Sequence, residues 1–127
     1  MMELDKIISR LESFAYCYVE ENDGYTIEYI KNKVLNHILN ETNQVEVPEQ
    51  LENVAIDMIC VEFLRLKKGM GQLESIEFER IEASVSMGDT SISYVNDGTP
   101  EQKFDSMLNS IYASAESELI KHRKLVW

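Results

Sequence analysis

The sequence is poor in the residues that mark secreted, fibrous and membrane proteins. It has only two cysteines, two prolines and five glycines in 127 residues, which excludes a disulfide scaffold and a collagen-like chain. No apolar run approaches the roughly 20 residues that span a bilayer. The acidic first turn, with no apolar run behind it, does not fit a secretory signal. We expect a soluble protein that is intracellular when it is made.

Basic residues are scarce as well, with 12 Lys and Arg against 23 Asp and Glu and a formal net charge of −11. Because nucleic-acid binding draws its affinity from Lys and Arg that neutralise phosphates, ordinary DNA or RNA binding is disfavoured. The same charge repels anionic lipid and favours basic partners. The length and the 44% of hydrophobic residues predict one folded domain over residues 1–127.

The two cysteines, Cys17 and Cys60, stand alone on stretches with helical patterning, without a Cys or His neighbour at metal-ligand spacing. Free, buried thiols in a reducing compartment are the favoured interpretation, with a disulfide as the alternative.

Two helical patterns fill the first third of the chain. The first runs from Glu3 to about Glu21 and is followed by the turn-forming tripeptide Asn22-Asp23-Gly24. The second runs from Thr26 to about Asn40, with a narrower apolar stripe. These patterns predict two helices separated by a turn.

Two further helical patterns are more strongly marked. The third helix is predicted to begin with Pro48 at its first position and to be closed by Gly69 in the left-handed conformation. Its side chains are apolar on nearly all sides, which is typical of a helix that others pack around. The fourth begins with Thr99-Pro100 and a capping box to Gln102, and ends in the basic cluster Lys121-His122-Arg123-Lys124.

Between these helices, an insert of about residues 73–96 changes from helical to alternating periodicity. The run Ile81–Met87 is followed by Gly88-Asp89, the sequence of a type II′ hairpin turn, and then by a second run in which Ile92 and Tyr94 alternate with Ser91 and Ser93. The predicted fold is therefore mainly α, a small four-helix domain with an extended β-hairpin-like insert between helices three and four. Since two strands cannot bury a face alone, we expect the hairpin to need a partner.

Nothing in the sequence predicts catalysis, a metal or a cofactor. His37 and His122 have no carboxylate or thiol at a spacing that would orient them. Gly69-Met70-Gly71 lacks the strand and the Lys-Ser/Thr of a phosphate loop, and is interpreted as a helix stop. We therefore expect a protein that is not an enzyme and that acts through contact surfaces.

Two segments resemble a known family. Val47-Pro48-Glu49-Gln50-Leu51 leading into the third helix, and Val85–Tyr94 with the sequence VSMGDTSISY, resemble the head-tail connector (adaptor) proteins of long-tailed bacteriophages and related prophages. The resemblance covers the second half of the chain, and the first two helices only in pattern. Gly88, Asp89, Ser91 and Tyr94 match the family's stretch, whereas Thr90 stands where an aromatic residue is common.

The resemblance implies a structural virion protein at the head-tail interface, assembled in the cytoplasm of the bacterial host. Copies would form a closed ring of about twelve beneath the portal protein, although the isolated chain could be a monomer. The ring would extend the DNA channel and contact a tail or stopper protein, and DNA would pass through without sequence-specific binding. No membrane is involved.

The expected subunit or portal contacts lie in the insert and after the fourth helix, where apolar and basic side chains have no obvious cover. A frayed terminus is the alternative for the last residues. The candidate interface residues are Val85, Met87, Gly88, Asp89, Ser91, Ile92, Tyr94, Lys121, Arg123 and Trp127.

A second hypothesis is an acidic inhibitor, or DNA mimic, that binds a basic host protein. It requires carboxylates spaced like phosphates along one continuous face. The acids here are spread over four helices and a strand pattern with lysines among them, namely Lys31, Lys33, Lys67 and Lys68. The connector hypothesis is therefore preferred.

Overall fold

The computed structural model describes residues 4–14, 16–71, 73, 81 and 99–122, and these form four α-helices and one short 3-10 turn. The helices are α1 (Leu4–Ser13), α2 (Glu20–Thr42), α3 (Glu52–Gly69) and α4 (Pro100–Lys121), and the 3-10 turn is Glu49–Leu51. No strand occurs within these residues. The predicted mainly α class is confirmed.

Helix α3 is the centre of the fold and contacts each of the other three helices. It is buried on most of its circumference, as its sequence predicts, because three neighbours surround it. The largest fully buried side chains come from every helix and from the loops that join them: Ile7, Leu11, Phe14, Ile27, Ile38, Leu51, Met58, Ile59, Phe63, Leu64, Ile81 and Phe104.

The ion pairs show how the helices run. Asp23 at the start of α2 contacts Lys67 near the end of α3, whereas Lys33, further along α2, contacts the earlier Glu62. Lys68 at the end of α3 contacts both Glu101 (3.0 Å) and Asp105 (2.6 Å) at the start of α4. Both α2 and α4 are therefore antiparallel to α3 and parallel to each other. The segment between α3 and α4 consequently leaves and rejoins the bundle at one end, and α4 terminates at the other.

The boundary between the first two helices differs from the prediction. Helix α1 ends at Ser13, not near Glu21, and α2 includes Asn22-Asp23-Gly24 rather than following it. Between the two helices, the structure describes Phe14 and residues 16–19, and none of them is helical. Asn-Asp-Gly forms turns readily, but an aspartate is also favoured in the first turn of a helix, where it faces unpaired N–H groups and the positive end of the dipole.

Asp23 decides between these two structures because its carboxylate is buried, with 1% of the residue exposed. Its Oδ2 accepts hydrogen bonds from the Val19 N–H (3.1 Å) and the Tyr16 hydroxyl (2.9 Å). Its Oδ1 accepts one from Nζ of Lys67 (2.9 Å), which is also buried. The pair thus joins the start of α2, the preceding loop and the end of α3.

Three smaller predictions at helix ends also need correction. Pro48 is not in an α-helix but precedes the 3-10 turn, and α3 begins at Glu52. Gly69 lies in the last turn of α3, and the left-handed residue is Gly71, with φ of 71°. Cys17 lies exposed in the loop before α2, so only Cys60 is the buried helical thiol that was predicted.

The predicted start of α4 is confirmed in full. The Thr99 hydroxyl accepts a hydrogen bond from the Gln102 N–H (3.2 Å), and the Gln102 side chain accepts one from the Thr99 N–H (3.0 Å). Pro100 follows the cap. This is the reciprocal capping box that the sequence predicts.

The predicted hairpin falls almost entirely outside the described residues. Within the insert of about residues 73–96, only Leu73 and Ile81 are described, and both are buried. Ile81 is helical, so the expected strand does not begin at that residue. The Gly88-Asp89 turn lies outside the described residues. In the described part of the chain, the helices are too short or too polar to cross a membrane.

Breaking the buried pair should destabilise the fold strongly. We expect Asp23→Asn to lower the free energy of unfolding by about 3–5 kcal/mol, because it leaves the Lys67 ammonium buried without a counter-charge. The double variant with Lys67→Met should cost less than the sum of the two single changes. Urea unfolding followed by circular dichroism measures both effects.

The control for this experiment is Glu118→Gln, which removes the exposed partner of Lys121. Exposed pairs contribute about 0–1 kcal/mol, so this variant should remain close to the parent chain. Equal destabilisation by Asp23→Asn and Glu118→Gln would contradict the structural role of the buried pair.

The capping box gives a second stability prediction. Thr99→Ala removes the side-chain acceptor for the Gln102 N–H and should lower the free energy of unfolding by about 1 kcal/mol. Thr99→Ser retains the acceptor and should recover most of the loss. Thermal unfolding of the two variants compares them, and equal stability would show that the cap does not contribute.

Candidate interaction surface

The charged side chains of the described residues form pairs between helices rather than a reactive cluster. Lys6 contacts Glu52, Arg10 contacts Asp57 (2.8 Å) and Lys33 contacts Glu62 (3.2 Å). Nowhere in residues 4–14, 16–71 and 99–122 do three His, Cys, Asp or Glu side chains converge as a metal site would require. Each of these partly exposed pairs contributes little to the free energy of unfolding. They occur where the faces of two helices carry opposite charges.

His37 has a partner that its sequence neighbours do not reveal. Its Nε2 lies 2.9 Å from Oε1 of Glu116, which is 79 residues further along the chain. The two meet because α2 and α4 run parallel. Both side chains are about one-third exposed, so this contact lacks the desolvated setting of a general acid or base. His122 contacts the Glu118 carbonyl through Nδ1 (3.1 Å).

Neither cysteine forms a disulfide in the structure, and the two thiols have opposite environments. Cys60 is buried in α3 beside the Ile7 carbonyl. Its burial, and then the nearby Asp57 carboxylate, raise the pKa of the thiol well above its usual value, so the unreactive protonated form persists. Cys17 is exposed.

The outward face of α2 carries an uncharged band that we call the α2 stripe. Its members are three or four residues apart and all exposed: Asn22, Tyr25, Tyr29, Asn32, Asn36 and Asn40. At about 100° per residue they fall within an arc of roughly 80°. Tyr25 is 87% exposed and Tyr29 is 60% exposed. No charged residue of α2 lies inside this arc.

A neutral band of this composition is notable in a chain of net charge −11. Tyrosine offers a large, rigid contact area with a polar tip, and asparagine can both donate and accept hydrogen bonds. Exposed aromatic residues in a contiguous band are typical of contact surfaces. The stripe is not among the sequence predictions, because the spacing of its Asn and Tyr residues indicates one helix face but not whether another helix covers that face.

A second feature lies where the chain passes from α2 to α3, and we call it the α2–α3 groove. It has a volume of about 540 Å³. Apolar side chains and three carboxylates line it: Leu35, Leu39, Val45, Val47 and Pro48, with Glu46, Glu49 and Glu52. Val45 is 95% exposed, the highest value among the large hydrophobic residues described. The Gln44 side chain donates a hydrogen bond to the His122 carbonyl (2.9 Å), which brings the end of α4 beside this loop.

The structure describes only one of the predicted interface residues. Lys121 is exposed in the last turn of α4 and pairs with Glu118 (3.0 Å), one turn earlier in the same helix. The others lie outside the described residues, so their grouping stays a prediction: Val85, Met87, Gly88, Asp89, Ser91, Ile92, Tyr94, Arg123 and Trp127.

Comparison of the chain with protein-family models, with curated proteins and with solved structures finds no match. Function therefore has to be inferred from the residues and from the two surfaces described above.

The two thiols provide a test of the packing around α3. In the folded protein, we expect one thiol to react rapidly with a disulfide reagent, because Cys17 is exposed whereas Cys60 is buried and protonated. Unfolding in urea should make the second thiol, that of Cys60, reactive as well. Cys17→Ser should remove the rapid phase, and Cys60→Ala should leave it. Two rapid thiols in the native protein would contradict this packing.

Proposed function

We propose that this chain is a structural subunit of a phage or prophage head-tail connector, which assembles into a ring beneath the portal and acts without catalysis. The observation that supports this most directly is the α2 stripe. It is an exposed, uncharged recognition face on a strongly acidic domain. Together with the resemblance of residues 47–51 and 85–94 to connector proteins, it favours a protein whose work is to contact copies of itself.

Electrostatics explains why such a face matters. Neighbours in a ring bring two surfaces of like net charge together, and each pair of like charges 4 Å apart costs about 1 kcal/mol even in bulk water. The stripe contains no charged side chain, and Tyr25 and Tyr29 add contact area. An acidic protein can thus associate with itself through α2 at a lower electrostatic cost than through a face rich in carboxylates.

The stripe is too small to hold a ring together alone. The 19 residues from Asn22 to Asn40 span about 27 Å, and at a width of about 10 Å they cover roughly 270 Å². A stable interface commonly buries about 800 Å² on each partner. The insert must therefore supply much of the remaining contact, as predicted for Val85, Met87, Ile92 and Tyr94. An interface that depends on the insert is consistent with the expectation that the isolated chain is a monomer.

The two ends of the bundle suit a protein placed between two partners. The insert joins the bundle where Lys68 meets Glu101 and Asp105, and α4 ends beside Gln44 at the opposite end. We propose that Lys121, Arg123 and Trp127 face the portal from the second end. The net charge of −11 would let DNA move through the channel without being held.

The acidic-inhibitor hypothesis receives less support from the described residues. A DNA mimic needs carboxylates that are free to stand in for phosphates. Several acids are instead paired with cations of the same chain, including Glu52, Asp57, Glu62 and Asp105. Their charge is partly used within the fold, and the connector remains the function best supported.

Assembly with a portal protein tests the proposal. The chain mixed with the portal should give ring particles in negative stain, and deletion of residues 85–94 should abolish them with helicity retained. In the stripe, Asn32→Asp with Asn36→Asp adds two charges without changing side-chain size and should lower ring yield about tenfold or more, which corresponds to about 1.4 kcal/mol.

The matched control is Gln50→Glu with Asn53→Asp, which adds the same charge at exposed positions outside the stripe. Rings should form normally with this variant. Equal assembly by both double variants would remove the stripe from the interface. A chain that stays monomeric with the portal would contradict the connector function itself.

A further inference from the structure

We propose that residues 123–127, which follow α4, dock into the α2–α3 groove of the same chain. Their sequence is Arg-Lys-Leu-Val-Trp. The apolar residues, with Trp127 as the anchor, would cover the floor of the groove, and the two cations would meet its acidic rim. This inference concerns the isolated chain. Arg123 and Trp127 would have to leave the groove to make the portal contacts proposed above.

The apolar side chains of the groove are at least partly open to solvent. Val45 stands 95% exposed beside the partly buried Val47, on a loop that also carries Pro48. The other apolar side chains of the groove, Leu35, Leu39 and Pro48, are half-buried. An apolar groove with a polar rim is a typical binding site. The groove volume of about 540 Å³ is large enough for an indole ring and an aliphatic neighbour.

Charge identifies the kind of occupant. Glu46 and Glu49 have no hydrogen-bond or ion-pair partner among the described residues, whereas Glu52 on the same rim contacts Lys6. Two unpartnered carboxylates beside an apolar floor favour a segment that combines cations with apolar side chains. Residues 123–127 form the only place in the sequence where two adjacent cations lead directly into three apolar residues.

Proximity favours the same chain over another molecule. The His122 carbonyl accepts a hydrogen bond from the Gln44 side chain, so the described part of α4 ends next to the loop that forms the groove. Five residues extend at most about 17 Å, enough to pass along Val45 to Pro48. A tethered segment this short has an effective concentration in the millimolar range, above that of any separate peptide in dilute solution.

Trp127 makes the docking directly measurable because it is the only tryptophan in the chain. Fluorescence of the full 127-residue protein should show a blue-shifted emission maximum and a low acrylamide quenching constant. If docked molecules outnumber undocked ones by about ten to one in the parent chain, most Trp127 side chains are shielded from acrylamide. Glu46→Gln with Glu49→Gln, and separately Val45→Asp, should each favour the undocked state and raise the quenching constant roughly threefold or more.

The matched control is Glu12→Gln with Glu21→Gln, which neutralises two exposed carboxylates that do not line the groove. It should leave quenching unchanged, and circular dichroism verifies that every variant retains its helices. Raised salt should weaken shielding in the parent chain more than in the variant lacking the two rim charges.

Three results would overturn the inference. The parent chain could show the quenching of free indole, so that nothing is docked. Shielding could survive both groove variants, which would place Trp127 elsewhere. Shielding could also appear only as protein concentration rises, which would make the occupant the segment of a second copy. None of these results depends on ring formation with a portal, so the connector function is tested separately.

Discussion

The buried contact between Asp23 and Lys67 is the constraint on which much of the described structure depends. Two opposite charges in a core are tolerated only when each is fully partnered, and here Tyr16 and the Val19 N–H satisfy the second carboxylate oxygen. The contact fixes where α2 begins. Asp23 lies on the same side of α2 as the buried Ile27, Val34 and Ile38, and the neutral stripe lies on the opposite side. The salt bridge and these apolar residues together orient the stripe outwards.

The sequence predicts those parts of the fold that depend on neighbouring residues. Thr99-Pro100 and Gln102 contain a complete helix start within four positions, and the nearly continuous apolar surface of α3 identifies the central helix. The start of α2 could not be predicted in this way. Asn22-Asp23-Gly24 is compatible with a turn and with a first helical turn, and the residue that decides between them, Lys67, is 44 positions away. His37 and Glu116 illustrate the same difficulty, since only the parallel packing of two helices brings them together.

The two candidate surfaces could be predicted from the sequence only in part. The spacing of the Asn and Tyr residues in α2 was visible, but their exposure depends on how the helix packs. The groove was not predictable, because the exposure of Val45 and the half-burial of Leu35, Leu39 and Val47 beside it depend on how α2 and α3 meet. The two surfaces also differ in chemistry. The stripe is neutral and polar, whereas the groove is apolar with an acidic rim, so they are suited to different occupants.

The contact of Lys68 with Glu101 and Asp105 has a consequence for how such a protein can diversify. It holds the end of α3 against the start of α4, so that the bundle itself fixes both ends of the long connection between these helices. Loop-closure entropy rises only slowly with length, by about 0.6 kcal/mol for each doubling. The part of the connection beyond Ile81 can therefore change in length at small entropic cost, whereas Leu73 and Ile81 must stay apolar because both are buried in the core.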